Sequence, residues 1–263
     1  MAGTVPGGPD ARPPRGRPVL DGAFALLEAL AAHDEDLGLT RLAACAGLPK
    51  TTAHRLLDQL VTLGAVQRRA GRYRVGPLAF RLGQCWQPAQ LLRTAAAQPL
   101  RRLTVEYARV GLSVAVPDDG GPLLVAGIRG EVDELFTLRA GAVLPPGTAP
   151  EVLFAPAAPP PGLSGRAWSR RVALARDQGV AYDHEECVPG LFCVAAPVRG
   201  PSGNVVAAIN ATVLDPRRLP PLAEALRRAA VLVGTQLARL PAPGTATGAP
   251  TGTATGAPTS MPE

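Results

Sequence analysis

The sequence of 263 residues predicts an α+β protein in two folded domains. Three observations lead there. Apolar residues recur at helical spacing from Val19 to Leu63, and a short two-strand pattern follows. From Leu112 onward, strand-length apolar runs joined by short turns alternate with helical runs, as in an α+β sheet domain. Between the two lies Gln87–Pro88, a natural boundary because proline disfavours helix at the residue before it. The expected organisation is an arm over 1–18, a first domain over 19–77, a linker over 78–87, a second domain over 88–240 and a tail over 241–263.

Composition excludes several classes. Hydrophobic residues make up 46% and charged residues 18%, so the bulk is globular. There is no run of about 18 apolar residues, so no transmembrane helix and no membrane partner are expected. The arginine-containing start, Met1 to Pro18, lacks the apolar core of a secretory signal. Cysteines at 45, 85, 187 and 193 are too few and too scattered for a disulfide framework. The reading is a soluble cytoplasmic protein with reduced thiols. The 1–18 arm is rich in Pro, Gly and Arg, and the tail repeats GTATGAPT at 244–251 and 252–259. Neither segment holds enough apolar surface to offset its ordering entropy, so both are expected to be disordered.

The net charge of +6 is localised. Between Arg41 and Arg74 stand seven basic residues (Arg41, Lys50, Arg55, Arg68, Arg69, Arg72, Arg74) and one acid, Asp58, while the rest of the chain is neutral. Such a patch is either a solvated surface or a footprint for a polyanion.

The first domain is built from recognisable pieces. Val19, Leu20, Ala23, Phe24, Leu27 and Leu30 form one helical stripe. A short helix follows with Thr40 as its N-cap, running to a left-handed cap at Gly47. Pro49 suits the first turn of the next helix, which turns Ala53, Leu56, Leu57, Leu60 and Leu63 inward and ends at Gly64. Two short helices around a glycine turn make a helix-turn-helix. Lys50, Thr51, Thr52, His54 and Arg55 lie on the outer face of the second helix, the first three in the turn that meets base edges in such motifs. Threonine hydroxyls bond phosphates or base edges, and Lys and Arg reach phosphate or guanine. Val66, Tyr73 and Val75 then fit two strands about an Ala70–Gly71 turn, decorated by Arg68, Arg69, Arg72 and Arg74. A basic hairpin after a helix-turn-helix is a wing. The first domain therefore reads as a winged helix-turn-helix.

These residues carry a family resemblance. Gly47-Leu48-Pro49-Lys50-Thr51-Thr52-Ala53-His54-Arg55-Leu56-Leu57 and Tyr73-Arg74-Val75-Gly76-Pro77 resemble the turn, recognition helix and wing closure of the IclR family of bacterial transcription regulators. The likeness covers residues 19–84. It implies a double-stranded DNA operator as partner, and residues 41, 50–52, 54, 55, 68, 69, 72 and 74 as the DNA-contacting set.

In the second domain a long helical pattern over 88–108 contains Pro99, which kinks or breaks it. Strands are expected at Leu112–Val116, Leu123–Ile128, Leu135–Leu138, Cys193–Val198 and Val205–Val213, and helices at Glu151–Ala155, Ala167–Gln178 and Leu222–Leu240. Asp183-His184-Glu185-Glu186, Pro189-Gly190, Cys193-Val194-Ala195-Ala196-Pro197-Val198 and Gly203–Ala208 again resemble the IclR family. The resemblance implies a GAF-like α+β effector-binding domain with a small molecule held against the sheet. It places ligand contacts at Gly147, Thr148, Ala149, Asp183, Leu191, Cys193, Asn210 and Thr212. Two departures stand out. Pro150-Glu151 replaces the Gly-Lys common in the family, and Asn210 replaces a serine, keeping hydrogen-bonding capacity in a larger volume. Both point to ligand chemistry other than the carboxylates some relatives bind.

Other chemistry is weaker. Cys193 with His184 has the residue types of a thiol nucleophile and base, but no nucleophile elbow, phosphate loop or dinucleotide fingerprint exists, so no enzyme and no cofactor are expected. His184, Cys187 and Cys193 lack zinc-finger spacing, so no metal is expected. Cys45 reads as a small core residue. The function expected is a DNA-binding transcription regulator, a homodimer or dimer of dimers, responding to a small-molecule effector. The alternatives are a ligand-independent regulator whose second domain only oligomerises, or a metal or thiol sensor using Cys187 and Cys193.

Overall fold

The computed structural model describes residues 18–240 apart from 34, 137, 156 and 157. The expected disordered arm, Pro18 excepted, and the whole expected tail lie outside the described residues. The chain divides into two compact units between Trp86 and Gln87.

The first unit runs α1 (Val19–Ala31), β1 (Leu37–Gly38), α2 (Leu39–Cys45), α3 (Lys50–Thr62), β2 (Val66–Arg69), β3 (Arg72–Val75) and α4 (Pro77–Gln84). Both glycine stops work through the same closure. The Leu48 N–H reaches Ala43 O and the Gly47 N–H reaches Ala44 O; after α3, Ala65 N–H reaches Leu60 O and Gly64 N–H reaches Val61 O. These paired bonds satisfy carbonyls that a helix end leaves orphaned, and they need a left-handed residue, here Gly47 and Gly64. Leu26, Leu42, Leu57 and Tyr73 fill the core between the helices and the hairpin. The wing sheet has the order β1-β3-β2, all antiparallel. Gly76 closes it: its N–H donates to Ala65 O, and a Cβ there would stand 2.3 Å from Gly64 O.

Several sequence expectations need correction in this unit. The inward face of α1 is Gly22, Leu26, Ala29 and Leu30, leaving Val19, Leu20 and Phe24 more than half exposed. Gly22 sets that face, because its missing side chain lets α1 approach Leu48 and Leu56 closely. Thr40 is not a cap: α2 begins at Leu39 with Gly38 before it, since the chain enters directly from β1. Pro49 stands at the cap position, and α3 starts one residue later. Leu63, just past α3, and Cys45, at the end of α2, are exposed.

Ala70 and Gly71 turn the hairpin with φ of 46° and 75°. Two left-handed residues match the twist of the strands, but alanine pays a steric penalty there. Ala70→Asn is expected to raise the unfolding free energy of this unit by about 0.5–1 kcal/mol, read as a higher urea midpoint at unchanged slope.

The second unit runs α5 (Gln87–Glu106), β4 (Gly111–Val116), β5 (Leu123–Ile128), a 3₁₀ turn (Glu131–Glu134), α6 (Ala149–Phe154), α7 (Gly165–Gln178), β6 (Ala181–His184), β7 (Phe192–Arg199), β8 (Val205–Val213), a 3₁₀ turn (Pro216–Arg218) and α8 (Leu219–Arg239). The five strands form one antiparallel sheet in the order β5-β4-β8-β7-β6. Strand alternation sorts its two faces. Leu112, Val114, Val194, Val198, Ile209 and Val213 pack with α5 and α8, while Ala181 and Ala195 pack with α6 and α7. Helix α5 continues through Pro99 without a break. Of the strand expected at Leu135–Leu138, the described residues Leu135, Phe136 and Leu138 lie outside any strand, and Leu138 is buried by packing with Leu124, Leu144 and Leu191 rather than by strand pairing.

Candidate functional site

On the first unit, the inward turn of Ala53, Leu56, Leu57 and Leu60 leaves Lys50, Thr51, His54 and Arg55 exposed and Thr52 half-buried. No side chain caps the start of α3, so its first-turn amides and the Lys50 and Thr51 side chains face outward together. Among the described residues, Lys50, Arg55 and Arg69 have no ion-pair partner. His54 Nδ1 lies 3.1 Å from Asp58 Oδ2, and Arg68 lies over the Tyr73 ring at 5.5 Å.

The other arginines are held by acids that the charge count missed, because they precede Arg41. Arg41 pairs with Glu35, Arg74 lies 3.1 Å from Asp36, and Arg72 donates to Asp36 O at 2.9 Å. The loop before β1 thus braces the wing. Exposed pairs of this kind are worth about 0–1 kcal/mol, so a phosphate can compete for these side chains.

On the second unit, strand register assembles a second site. Asp183 lies opposite Cys193, and Cys193 opposite Thr212; Ser113 lies opposite Asn210 on the neighbouring rung. These five side chains share one face of the sheet and line a cavity of about 50 Å³. Thr148 and Pro150 wall it from the α6 side, and Phe136, Leu138, Leu144 and Leu191 from the loops. Of the eight residues expected at a ligand site, Thr148, Asp183, Leu191, Cys193, Asn210 and Thr212 line this cavity. Gly147 and Ala149 do not: Ala149 packs with Val152 and Trp168, and Gly147 turns the loop at φ 84°. Pro150 lines the cavity at the place where Pro150-Glu151 departs from the family pattern, while Ser113, Phe136, Leu138 and Leu144 were missed. Of these, Ser113 alone carried a signal, as the one polar residue in the apolar run of β4.

The polar groups are unevenly satisfied. Asn210 Nδ2 donates to Ser113 Oγ at 3.1 Å, and Thr212 Oγ1 lies 3.7 Å from Cys193 Sγ. Asp183 Oδ1 accepts the Glu186 N–H at 2.9 Å. Thr148 Oγ1 and Asn210 Oδ1 are buried and have no partner among the described residues. An unsatisfied buried polar atom costs about 1–3 kcal/mol, and such atoms concentrate where a ligand completes the hydrogen bonding.

Burial pushes the Cys193 thiol up to about 12, with the Asp183 carboxylate adding to the rise. Burial, together with the Asp183 hydrogen bond and charge, raises Cys187 further still. Both thiols are protonated at neutral pH, which disfavours nucleophilic or sulfenic chemistry. Among the described residues no group of three His, Cys, Asp or Glu side chains is placed to hold a metal ion, and no helix is long and apolar enough to cross a membrane.

Known proteins place the chain. Residues 19–70 match the family description "IclR helix-turn-helix domain", and residues 167–233 match "Bacterial transcriptional regulator IclR C-terminal". The glycerol operon regulatory protein of Streptomyces griseus is 30% identical over 214 residues, covering 73% of this chain and 83% of its own. The transcriptional repressor IclR of Escherichia coli is 34% identical over 95 residues, 35% of this chain and 34% of its own. Among solved structures, an IclR homologue from Microbacterium hydrocarbonoxydans complexed with 4-hydroxybenzoate superposes with TM-score 0.72 at 24% identity, covering 84% of this chain and all of that one. The Thermotoga maritima IclR superposes with TM-score 0.62 at 19% identity, covering 83% of this chain and 98% of that one. The relatives are regulators, not enzymes. With a helix-turn-helix unit followed by an α+β sheet unit, matched in sequence over most of its length, the chain belongs to the IclR family of bacterial transcriptional regulators.

Proposed function

We propose that this regulator binds an operator through α3 and the wing, and that a small molecule in the sheet cavity modulates that binding. Lys50, Thr51, Thr52, His54 and Arg55 enter the major groove; Arg41, Arg68, Arg69, Arg72 and Arg74 contact the backbone. Thr148, Asp183, Leu191, Cys193, Asn210 and Thr212 contact the effector, with Gly147 and Ala149 shaping the loop around it. The observation that carries the effector reading is the cavity with two unpartnered buried polar atoms. A purely oligomerising domain has no use for such atoms, and the raised thiols count against a thiol sensor. The complex of a fold neighbour with 4-hydroxybenzoate supports ligand binding in this fold. The relative named a transcriptional repressor supports repression as the direction of control. The exposed apolar residues Val19, Leu20 and Phe24 on α1 support a homodimer or dimer of dimers, which would pair two half-sites by two-fold symmetry. An effector changes DNA affinity only by binding one arrangement of the chain better than another.

Fluorescence anisotropy on duplexes selected from the source genome tests the DNA half. Arg55→Ala is expected to lose about 1–3 kcal/mol on the selected site and to relax its sequence preference. Arg69→Ala is expected to weaken all sequences alike and to reduce the salt slope by about one. Equal behaviour of the two variants would remove the division between recognition helix and wing. Screening metabolites for release of that operator tests the effector half.

A further inference from the structure

The cavity carries information about charge. Among the described residues that line it there is no arginine, lysine or histidine, and Asp183 is the one ionisable acid. The nearby cation, Arg171, is committed elsewhere: its Nη2 lies 2.6 Å from Glu186 and donates to Tyr182 O. The Gly147 N–H at the mouth of α6 is taken by the carboxylate of Glu151. An incoming carboxylate would therefore meet a resident carboxylate, no unpaired cation, and an amide already bonded to the chain's own acid. The apolar walls of Phe136, Leu138, Leu144 and Leu191 make a full charge of either sign costly to desolvate. The uncharged groups suit a different ligand. Thr148, Asn210, Ser113 and Thr212 offer hydroxyl and amide functions, two of them with an unpartnered buried atom. Hydroxyl groups, which both donate and accept, complement such a set.

Volume narrows the class. An enclosed water needs about 10–15 Å³. At about 50 Å³ this cavity has room for a few non-hydrogen atoms, which favours the smallest ligands.

We propose that the cavity selects the shortest neutral polyols, of about two or three carbons, and rejects the carboxylates of the same length. The proposal rests on the effector reading above and adds the ligand class to it.

The test is calorimetric titration of the full chain with two matched pairs: ethane-1,2-diol and glycolate, glycerol and glycerate. At least one polyol is expected to bind saturably, at least about tenfold tighter than its carboxylate partner. Asp183→Asn keeps an oxygen to accept the Glu186 N–H, so the fold is retained; it is expected to tighten the carboxylate at least about tenfold relative to its polyol partner. Thr148→Val keeps the shape, removes an unpartnered hydroxyl, and is expected to weaken the polyol severalfold. A carboxylate binding the wild type as tightly as its polyol overturns the ligand class and leaves the cavity as an effector site. Continued rejection of carboxylates by Asp183→Asn overturns the charge argument. Binding by none of the four compounds overturns the class; the effector reading then stands only if some other compound releases operator DNA, and falls with it otherwise.

Discussion

Tyr73→Ala is expected to cost the first unit about 3–5 kcal/mol, the range for removing a large buried ring. Tyr73 is the bulkiest fully buried side chain among the described residues. It sits on the central strand of the wing sheet, opposite Leu37 on one side and Arg68 on the other. Its ring also seats the Arg68 guanidinium. No neighbour can slide in to replace it, because β1 is only two residues long and β2 turns outward after Val66. Against a typical total of about 5–15 kcal/mol, the loss takes a large share of the stability. Urea unfolding followed by circular dichroism checks it: the transition of the first unit should move to lower urea while that of the second stays. A loss below about 1 kcal/mol would mean that the wing is not anchored through this ring. DNA affinity should fall with it, although Tyr73 itself is buried and touches no phosphate.

Gly127→Ala is expected to do comparable damage in the second unit, for the opposite reason. Gly127 lies in β5 opposite Ser113, and the loop carrying Leu138 crosses directly over it. A Cβ at this position would stand 2.0 Å from Leu138 O and 2.8 Å from Leu138 C. Both are backbone atoms, so no rotamer change relieves the clash. Overpacking costs about 1–3 kcal/mol when side chains can yield, and the upper end or more is expected here. The displaced segment includes a wall of the cavity, since Leu138 lines it. Thermal unfolding should report the stability loss, and titration with the best-binding polyol should report weaker affinity in the same variant. Wild-type values in both measurements would place the 135–144 loop away from β5.

How much of this was legible depended on what each residue answers to. Helix α3 was legible because Ala53, Leu56, Leu57 and Leu60 repeat at its period and Gly64 stops it. The inward face of α1 was not, because apolar count points to Val19, Leu20 and Phe24 whereas close packing selects the small residues Gly22 and Ala29. Strand β1 is two residues long and exists only because Leu37 meets Tyr73, a contact 36 positions away in sequence. Leu135–Leu138 has the composition of a strand, yet Gly127 lets Leu138 lie over β5 outside any strand. The cavity was half legible. Asp183, Cys193, Asn210 and Thr212 followed from the family's motifs, whereas Phe136 and Leu144 come from loops whose path no local pattern encodes. The bracing of Arg41, Arg72 and Arg74 by Glu35 and Asp36 was hidden for a similar reason, since proximity in the wing is not proximity along the chain.

The four cysteines fall into two chemical populations, one in each unit. Cys45 and Cys85 are exposed on the first unit, while Cys187 and Cys193 hold their protons on the second. A maleimide dye at neutral pH should therefore attach only to the DNA-reading unit of the native protein, with no engineered site. Two such labels per chain give a ready optical ruler for that unit in an assembled oligomer. They also set a handling rule: without reductant, Cys45 and Cys85 are open to cross-linking between copies, so any measurement of assembly size belongs in reducing buffer.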